Sequence, residues 1–212
     1  MNTFKNSDGK SILLKIVKGI QDNKAYLGEV DGLIGDGDHG MNMNKGFSLF
    51  EERFKDQDFC FTKGLDELGT ILLNEIGGSM GPIYGTILMD AAEAGESKEE
   101  IGVADLAEML EAGLNGLYDI VKAKVGDKTL VDTLAPSIES LKKSAADGGS
   151  FTDALVQMKA AAEAGRDSTK DLVAKFGRSA RLGERSRGVL DAGSVSCCII
   201  LCAMADGILE LL

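Results

Sequence analysis

Apolar residues recur at three- and four-residue intervals along almost the whole chain, beginning with Ile12, Leu13, Ile16, Val17 and Ile20. That spacing lines one face of a helix, and no segment alternates convincingly with the period of two that a half-buried strand shows. Helices are predicted around this first segment and from about Met41 to Phe54, Lys63 to Ile76, Pro82 to Ala94, Val103 to Lys122, Val131 to Ala146, Thr152 to Lys175 and Ser194 to Leu211, eight in all. Gly77-Gly78, Gly126-Asp127, Gly148-Gly149 and the stretch Gly183 to Gly193 supply the breaks between them. Pro82 suits a first helical turn, whereas Pro136 belongs near a helix start or at a kink. Long helices joined by short turns predict an all-α fold, an antiparallel eight-helix bundle or barrel, formed by one domain over residues 1–212. There is no Pro- or Ser-rich linker, solenoid-period repeat or low-complexity tract to divide it.

The 212 residues suffice for one good core. A net charge of −11 argues against nucleic acid or an anionic membrane as partner, so basic residues used on phosphate must be local. No charged-then-apolar leader opens the chain, and the longest apolar run, Cys197 to Ala205, is short of a bilayer span and closed by Asp206, so a cytoplasmic protein is expected. Cys60, Cys197, Cys198 and Cys202 lack the spacing and neighbouring histidines of a zinc site and read as small reduced core residues, Cys198 and Cys202 on one helix face.

The 27 glycines gather in clusters between helices, which changes the picture from a plain bundle to one with ligand loops at helix ends. The first cluster carries Asp31, Asp36 and Asp38 in Asp-Gly-Leu-Ile-Gly-Asp-Gly-Asp-His-Gly-Met-Asn-Met-Asn. An Asp-Gly-Asp alone is an ordinary surface turn. A third aspartate, a histidine and paired asparagines point instead to hard-cation chemistry: three carboxylates hold two Mg²⁺ with positive charge left over for a polyphosphate. The second cluster, Gly77-Gly78-Ser79-Met80-Gly81-Pro82, runs into a helix start and is a phosphate cradle in principle, without the lysine and spacing of a P-loop. The third, Gly126-Asp127-Lys128-Thr129-Leu130-Val131-Asp132, also fits an ordinary capped helix start. The fourth, Gly177 to Gly188, packs Arg178, Arg181, Arg185 and Arg187 into an acidic protein and reads as a basic lid or a solvated loop.

Together GDGDHGMNMNKGF at 35–47, GGSMGPIYGT at 77–86, GDKTLVDTLAPSIESL at 126–141 and GRSARLGERSRG at 177–188 resemble the nucleotide-binding L subunit of bacterial dihydroxyacetone kinases, from about Leu13 to Leu212. The resemblance implies a barrel of eight antiparallel helices with ADP or ATP and two Mg²⁺ at one end. It implies Asp31, Asp36 and Asp38 as metal ligands, and His39 and Asn42 along the phosphates. Ser79, with the Gly78 and Met80 backbone, would hold the β-phosphate region; Gly126 and Leu130 would contact adenine, Arg178 a phosphate, and Asp191 would belong to the covering loop. It implies a separate K subunit holding the ketose covalently through a histidine, and a phosphoryl donor that is either ATP or a phosphotransferase-system phosphocarrier subunit. The only histidine here, His39, lies in the metal loop. Three departures stand out: Met80 where the family shows serine, Asp191-Ala192-Gly193 for Asp-Pro-Gly, and Arg181 for tyrosine, with Arg187 also unusual. Two other readings keep the nucleotide module: a regulator signalling through a protein partner, or the ATP domain of a fatty acid kinase, the latter normally fused to further domains.

Overall fold

In the computed structural model, which describes residues 3–212, the periodic segments become nine α-helices: α1 Lys10–Asp22, α2 Lys24–Ile34, α3 His39–Phe54, α4 Phe61–Glu75, α5 Met80–Gly95, α6 Val103–Ile120, α7 Val131–Ala146, α8 Phe151–Ser168 and α9 Ala192–Leu209. The expected eight omitted α2. Its buried Leu27, Val30 and Ile34 form a helical stripe, but Gly28 and Gly32 dilute the propensity of so short a segment. The helix expected to reach Lys175 stops at Ser168, followed by a 3-10 turn at Thr169–Asp171. The Gly183–Gly193 region, read as a turn, begins within a second 3-10 stretch, Ser179–Ser186, broken at Gly183 (φ 54°). Pro136 lies inside α7, in its second turn. One short antiparallel pair, β1 Thr3–Lys5 with β2 Glu100–Gly102, was not expected; Phe4 opposite Ile101 is buried in the core.

The helices pack as neighbours in the order α1, α3, α4, α5, α6, α7, α8, α9, and α9 lies back against α1; α2 packs on α3 and α9. Neighbours run antiparallel, as close glycine contacts show: a Cβ on Gly207 near the end of α9 would stand 2.9 Å from Ile12 Cα at the start of α1, while one on Gly19 near the end of α1 would meet Ile199 at 3.4 Å. The starts of α3, α5, α7 and α9 therefore share one end of the molecule. Free N–H groups and the positive ends of four helix dipoles collect there.

α9 is apolar nearly all round, the composition of a buried helix. It is long and apolar enough to cross a membrane, longer than the Cys197–Ala205 run suggested, yet 67% of it is buried within the protein. Ile200, Leu201, Met204 and Ile208 fill the core, each such side chain contributing about 1.5–3 kcal/mol. All four cysteines are free thiols, but the expected core burial holds for Cys197 and Cys198 alone, Cys60 and Cys202 being half-buried; Cys198 and Cys202 share a face with sulfurs 3.9 Å apart.

Candidate active site at the end where alternate helices begin

The chain reverses between α2 and α3 in four residues, and only glycine fits the crowding this creates. Gly37 takes a positive φ of 76°. A Cβ on Gly40 would stand 2.0 Å from Lys24 O and 2.7 Å from Gly28 N, so α3 begins in backbone contact with α2. This turn presents Asp31 from the last turn of α2 and Asp36 and Asp38 from the loop, with one oxygen of each within 4.8 Å of the others. Three hard oxygen donors at that separation fit a divalent cation or a pair of them. Burial raises the Asp38 pKa, and the Asp36 carboxylate raises it further, while Arg178 opposes both. Concentrated negative charge of this kind favours a cation.

The basic stretch supplies one: Arg178 Nη1 forms an ion pair with Asp36. The other arginines do not join it. Arg187 pairs with Glu184 at 3.0 Å and also bonds the Asp171 carbonyl, bracing the 3-10 stretch from within, and Arg181 and Arg185 are exposed. The basic segment is thus neither a plain solvated loop nor a uniform basic patch.

His39 opens α3, its backbone N–H 3.4 Å from Asp31 Oδ2. Its Nε2 lies 2.8 Å from Ser196 Oγ on α9, and that hydroxyl lies 2.6 Å from the Tyr84 hydroxyl on α5. Three helix starts are knotted at Ser196. Burial lowers the His39 pKa, with Asp31 opposing, so the imidazole is held toward its neutral form. Ser196 and Tyr84 were not singled out from sequence, and a serine within an apolar helix offers no signal there.

On the far side of Ser196, Asp191 caps α9 by accepting from Ser194 N at 2.7 Å. Burial pushes its carboxyl up to about 7, with Asp132 and Asp31 adding repulsion. Ser194 Oγ in turn donates to Thr129 O at 2.7 Å, joining the start of α9 to the loop before α7. That loop turns at Gly126 (φ 94°), and Asp132 organises it by accepting from Gly126 N at 2.5 Å and Thr129 N at 2.7 Å. Leu130 is buried beside it. Asn42 is half-buried on α3, while Gly78 (φ 77°), exposed Ser79 and half-buried Met80 lead into α5 at the same end. The structure thus ties Asp31, Asp36, Asp38, Arg178 and His39 directly together, and Gly126, Leu130 and Asp191 into an adjoining loop pair. Residues 78–80 join them only through the helix that carries Tyr84.

A helical domain with a carboxylate triad and an arginine at one end matches a known class. Residues 33–206 match the DAK2 domain, and the chain belongs to that family, the family of the L subunits of dihydroxyacetone kinases, which are phosphotransferases. It is 38% identical over 174 residues to the "PEP-dependent dihydroxyacetone kinase, ADP-binding subunit DhaL" of Escherichia coli, covering 81% of this chain and 82% of that protein. It is 36% identical over 183 residues to the "PTS-dependent dihydroxyacetone kinase, ADP-binding subunit DhaL" of Lactococcus lactis, covering 86% and 87%. Among solved structures, the dihydroxyacetone kinase from C. freundii in complex with AMP-PNP and Mg²⁺ superposes with a TM-score of 0.72 at 21% identity, over 93% of this chain and 33% of that one. That likeness establishes the all-helical fold.

Proposed function

We propose that this chain is the nucleotide-binding subunit of a dihydroxyacetone kinase, a single cytoplasmic domain that holds ADP or ATP with two Mg²⁺ and passes a phosphoryl group to a short ketose carried by a separate K subunit. The observation that carries the reading is the convergence of Asp31, Asp36 and Asp38 with Arg178 where four helices begin. Relatives named as ADP-binding kinase subunits match it over more than four-fifths of their length. The cyclic neighbour order of the helices supports a barrel with the site at one end.

Phosphoryl transfer asks the protein for positioning and charge neutralisation more than for covalent chemistry. Asp31, Asp36 and Asp38 would hold the metal, which would supply positive charge to neutralise phosphate oxygens. His39, kept neutral by burial and oriented by Ser196, lies beside them with Asn42 to line the phosphates; the Gly78–Met80 turn offers backbone N–H groups and the Ser79 hydroxyl. Gly126 and Leu130 form the apolar side for the base, with Asp191 in the loop over it. Arg178, on a segment that turns at Gly177 (φ 69°) and Gly183, is placed to shift from Asp36 to a phosphate. The relatives' names favour a phosphotransferase-system donor.

The same end exposes large apolar side chains: Leu33 is 67% exposed, Met41 59% and Val125 55%, with Ile120 and Phe176 nearby in sequence on the ends that meet there. Exposed apolar groups gathered around a charged site suit a protein partner. The test is dihydroxyacetone phosphorylation measured with and without a K subunit, using ATP or a phosphorylated phosphotransferase protein as donor. Turnover requires the K subunit; robust phosphorylation by this chain alone refutes the two-subunit reading.

A further inference from the structure

Lys128 combines two costly features that nothing in the site as described uses. Among the described residues it is the only non-glycine with a positive φ, 62°. Such a backbone costs about 1–3 kcal/mol. Its side chain is fully enclosed, at 1% exposure, and its ammonium donates to the backbone carbonyls of Thr169, at 2.5 Å, and Val189. The neighbouring Asp127 pairs instead with Lys175, at 2.6 Å. A buried ammonium satisfied by carbonyls alone is a costly anchor, and simple filling of space would be met by leucine or methionine.

The bonds around it close a circuit. Lys128 Nζ reaches the Thr169 carbonyl; the Thr169 hydroxyl accepts from Asp191 N at 3.1 Å; Asp191 accepts from Ser194 N; Ser194 Oγ donates to the carbonyl of Thr129, next to Lys128. Its second bond, to Val189 O, fixes the strand of chain that runs into Asp191. One cation therefore holds the 126–130 loop and the 188–191 loop in register, and two residues beyond Ser194, Ser196 holds His39.

We propose that Lys128 is a positioning residue whose ammonium clamps these two loops around the nucleotide, so that ADP affinity depends on its charge and on its two carbonyl bonds. This rests on the nucleotide reading above. Without the clamp the loops sample other arrangements, and apparent affinity falls by the fraction of molecules that remain competent. The groups facing the ammonium are the Asp191, Asp132 and Asp171 carboxylates, which favour its charge, and the Arg187 guanidinium, which opposes it; burial outweighs them and lowers its pKa. The clamp is consequently engaged at neutral pH and released as pH rises through the lowered value.

ADP is titrated calorimetrically at fixed Mg²⁺ into the wild-type, Lys128→Met and Lys128→Arg proteins, from pH 7 to 10, with helicity and thermal unfolding recorded without nucleotide. Lys128→Met is expected to bind ADP about tenfold or more weakly at pH 7.5, with the loops competent in about a tenth of molecules. Wild-type affinity is expected to decline toward pH 10. Lys128→Arg, which keeps charge and donors, is expected to restore affinity and abolish that decline. A folded Lys128→Met protein with wild-type affinity overturns the proposal, as does an alkaline decline that persists unchanged in Lys128→Arg. If Lys128→Met does not fold, the comparison of wild-type and Lys128→Arg pH series decides alone. A wild-type chain that binds no ADP overturns the nucleotide reading and the clamp with it, a result distinct from either of the others.

Discussion

Asp191 is where pH and stability meet most directly. Its carboxylate accepts the Ser194 N–H as the cap of α9, the helix that fills the core, yet burial lifts its carboxyl to about 7. The unfolded chain releases that proton near the ordinary value of about 3.9, so between there and 7 the folded state binds more protons than the unfolded state. Stability then falls as pH rises through that window and levels off above it. Between pH 5 and 8 the full shift corresponds to about 2.5 kcal/mol, and the partial exposure of Asp191 reduces this to roughly 1–2 kcal/mol. Asp191→Asn keeps a capping oxygen and removes the titration. The assay is urea unfolding of wild-type and Asp191→Asn proteins, without nucleotide, at four pH values from 5 to 8. The variant's stability relative to wild type is expected to increase with pH by that amount. A difference that stays constant across the range refutes the buried, proton-holding environment and means that Lys128 dominates and keeps Asp191 ionised throughout.

Three further outcomes follow from the site. Asp36→Asn is expected to abolish Mg²⁺-dependent ADP binding in calorimetry while helicity is unchanged; unaltered affinity would sink the metal assignment. Arg178→Gln removes a cation that competes for Asp36 in a pair whose side chains are 64% and 35% exposed. An exposed pair of that kind is worth about 0.2–1 kcal/mol, so Mn²⁺ binding without nucleotide, read by electron paramagnetic resonance, should tighten by about 1.5- to 5-fold. Phosphoryl transfer by the same variant should fall by about ten- to a thousandfold, and much less for Arg187→Ala, whose guanidinium braces its own turn. Gly40→Ala would drive a methyl group into Lys24 O and Gly28 N, backbone atoms that cannot swing aside. A loss of about 1–3 kcal/mol in thermal unfolding and weakened Mn²⁺ binding are expected, and a variant as stable as wild type would show that the α2–α3 turn is loose.

The sequence by itself determined the helical class, because the three- and four-residue recurrence of apolar positions is local and survives in any arrangement of the helices. It also determined the metal-loop candidates, since Asp36, Asp38 and His39 stand within one turn of chain and bring their chemistry with them. α2 was legible in the stripe Leu27, Val30 and Ile34 but was outweighed by its two glycines, which the structure explains as room for the 37–40 turn. The resemblance singled out Arg178 among the four arginines, but only the tertiary structure decided that it meets Asp36 while Arg187 braces its own loop. The same holds for Ser196, which gains a role because α3 and α5 deliver His39 and Tyr84 to it, and for Lys128, whose two carbonyl partners lie in segments far along the chain. Periodicity specifies which face of a helix is buried. Which side chains meet at helix ends depends on how the helices pack around one another, and that is set by contacts between residues distant in sequence.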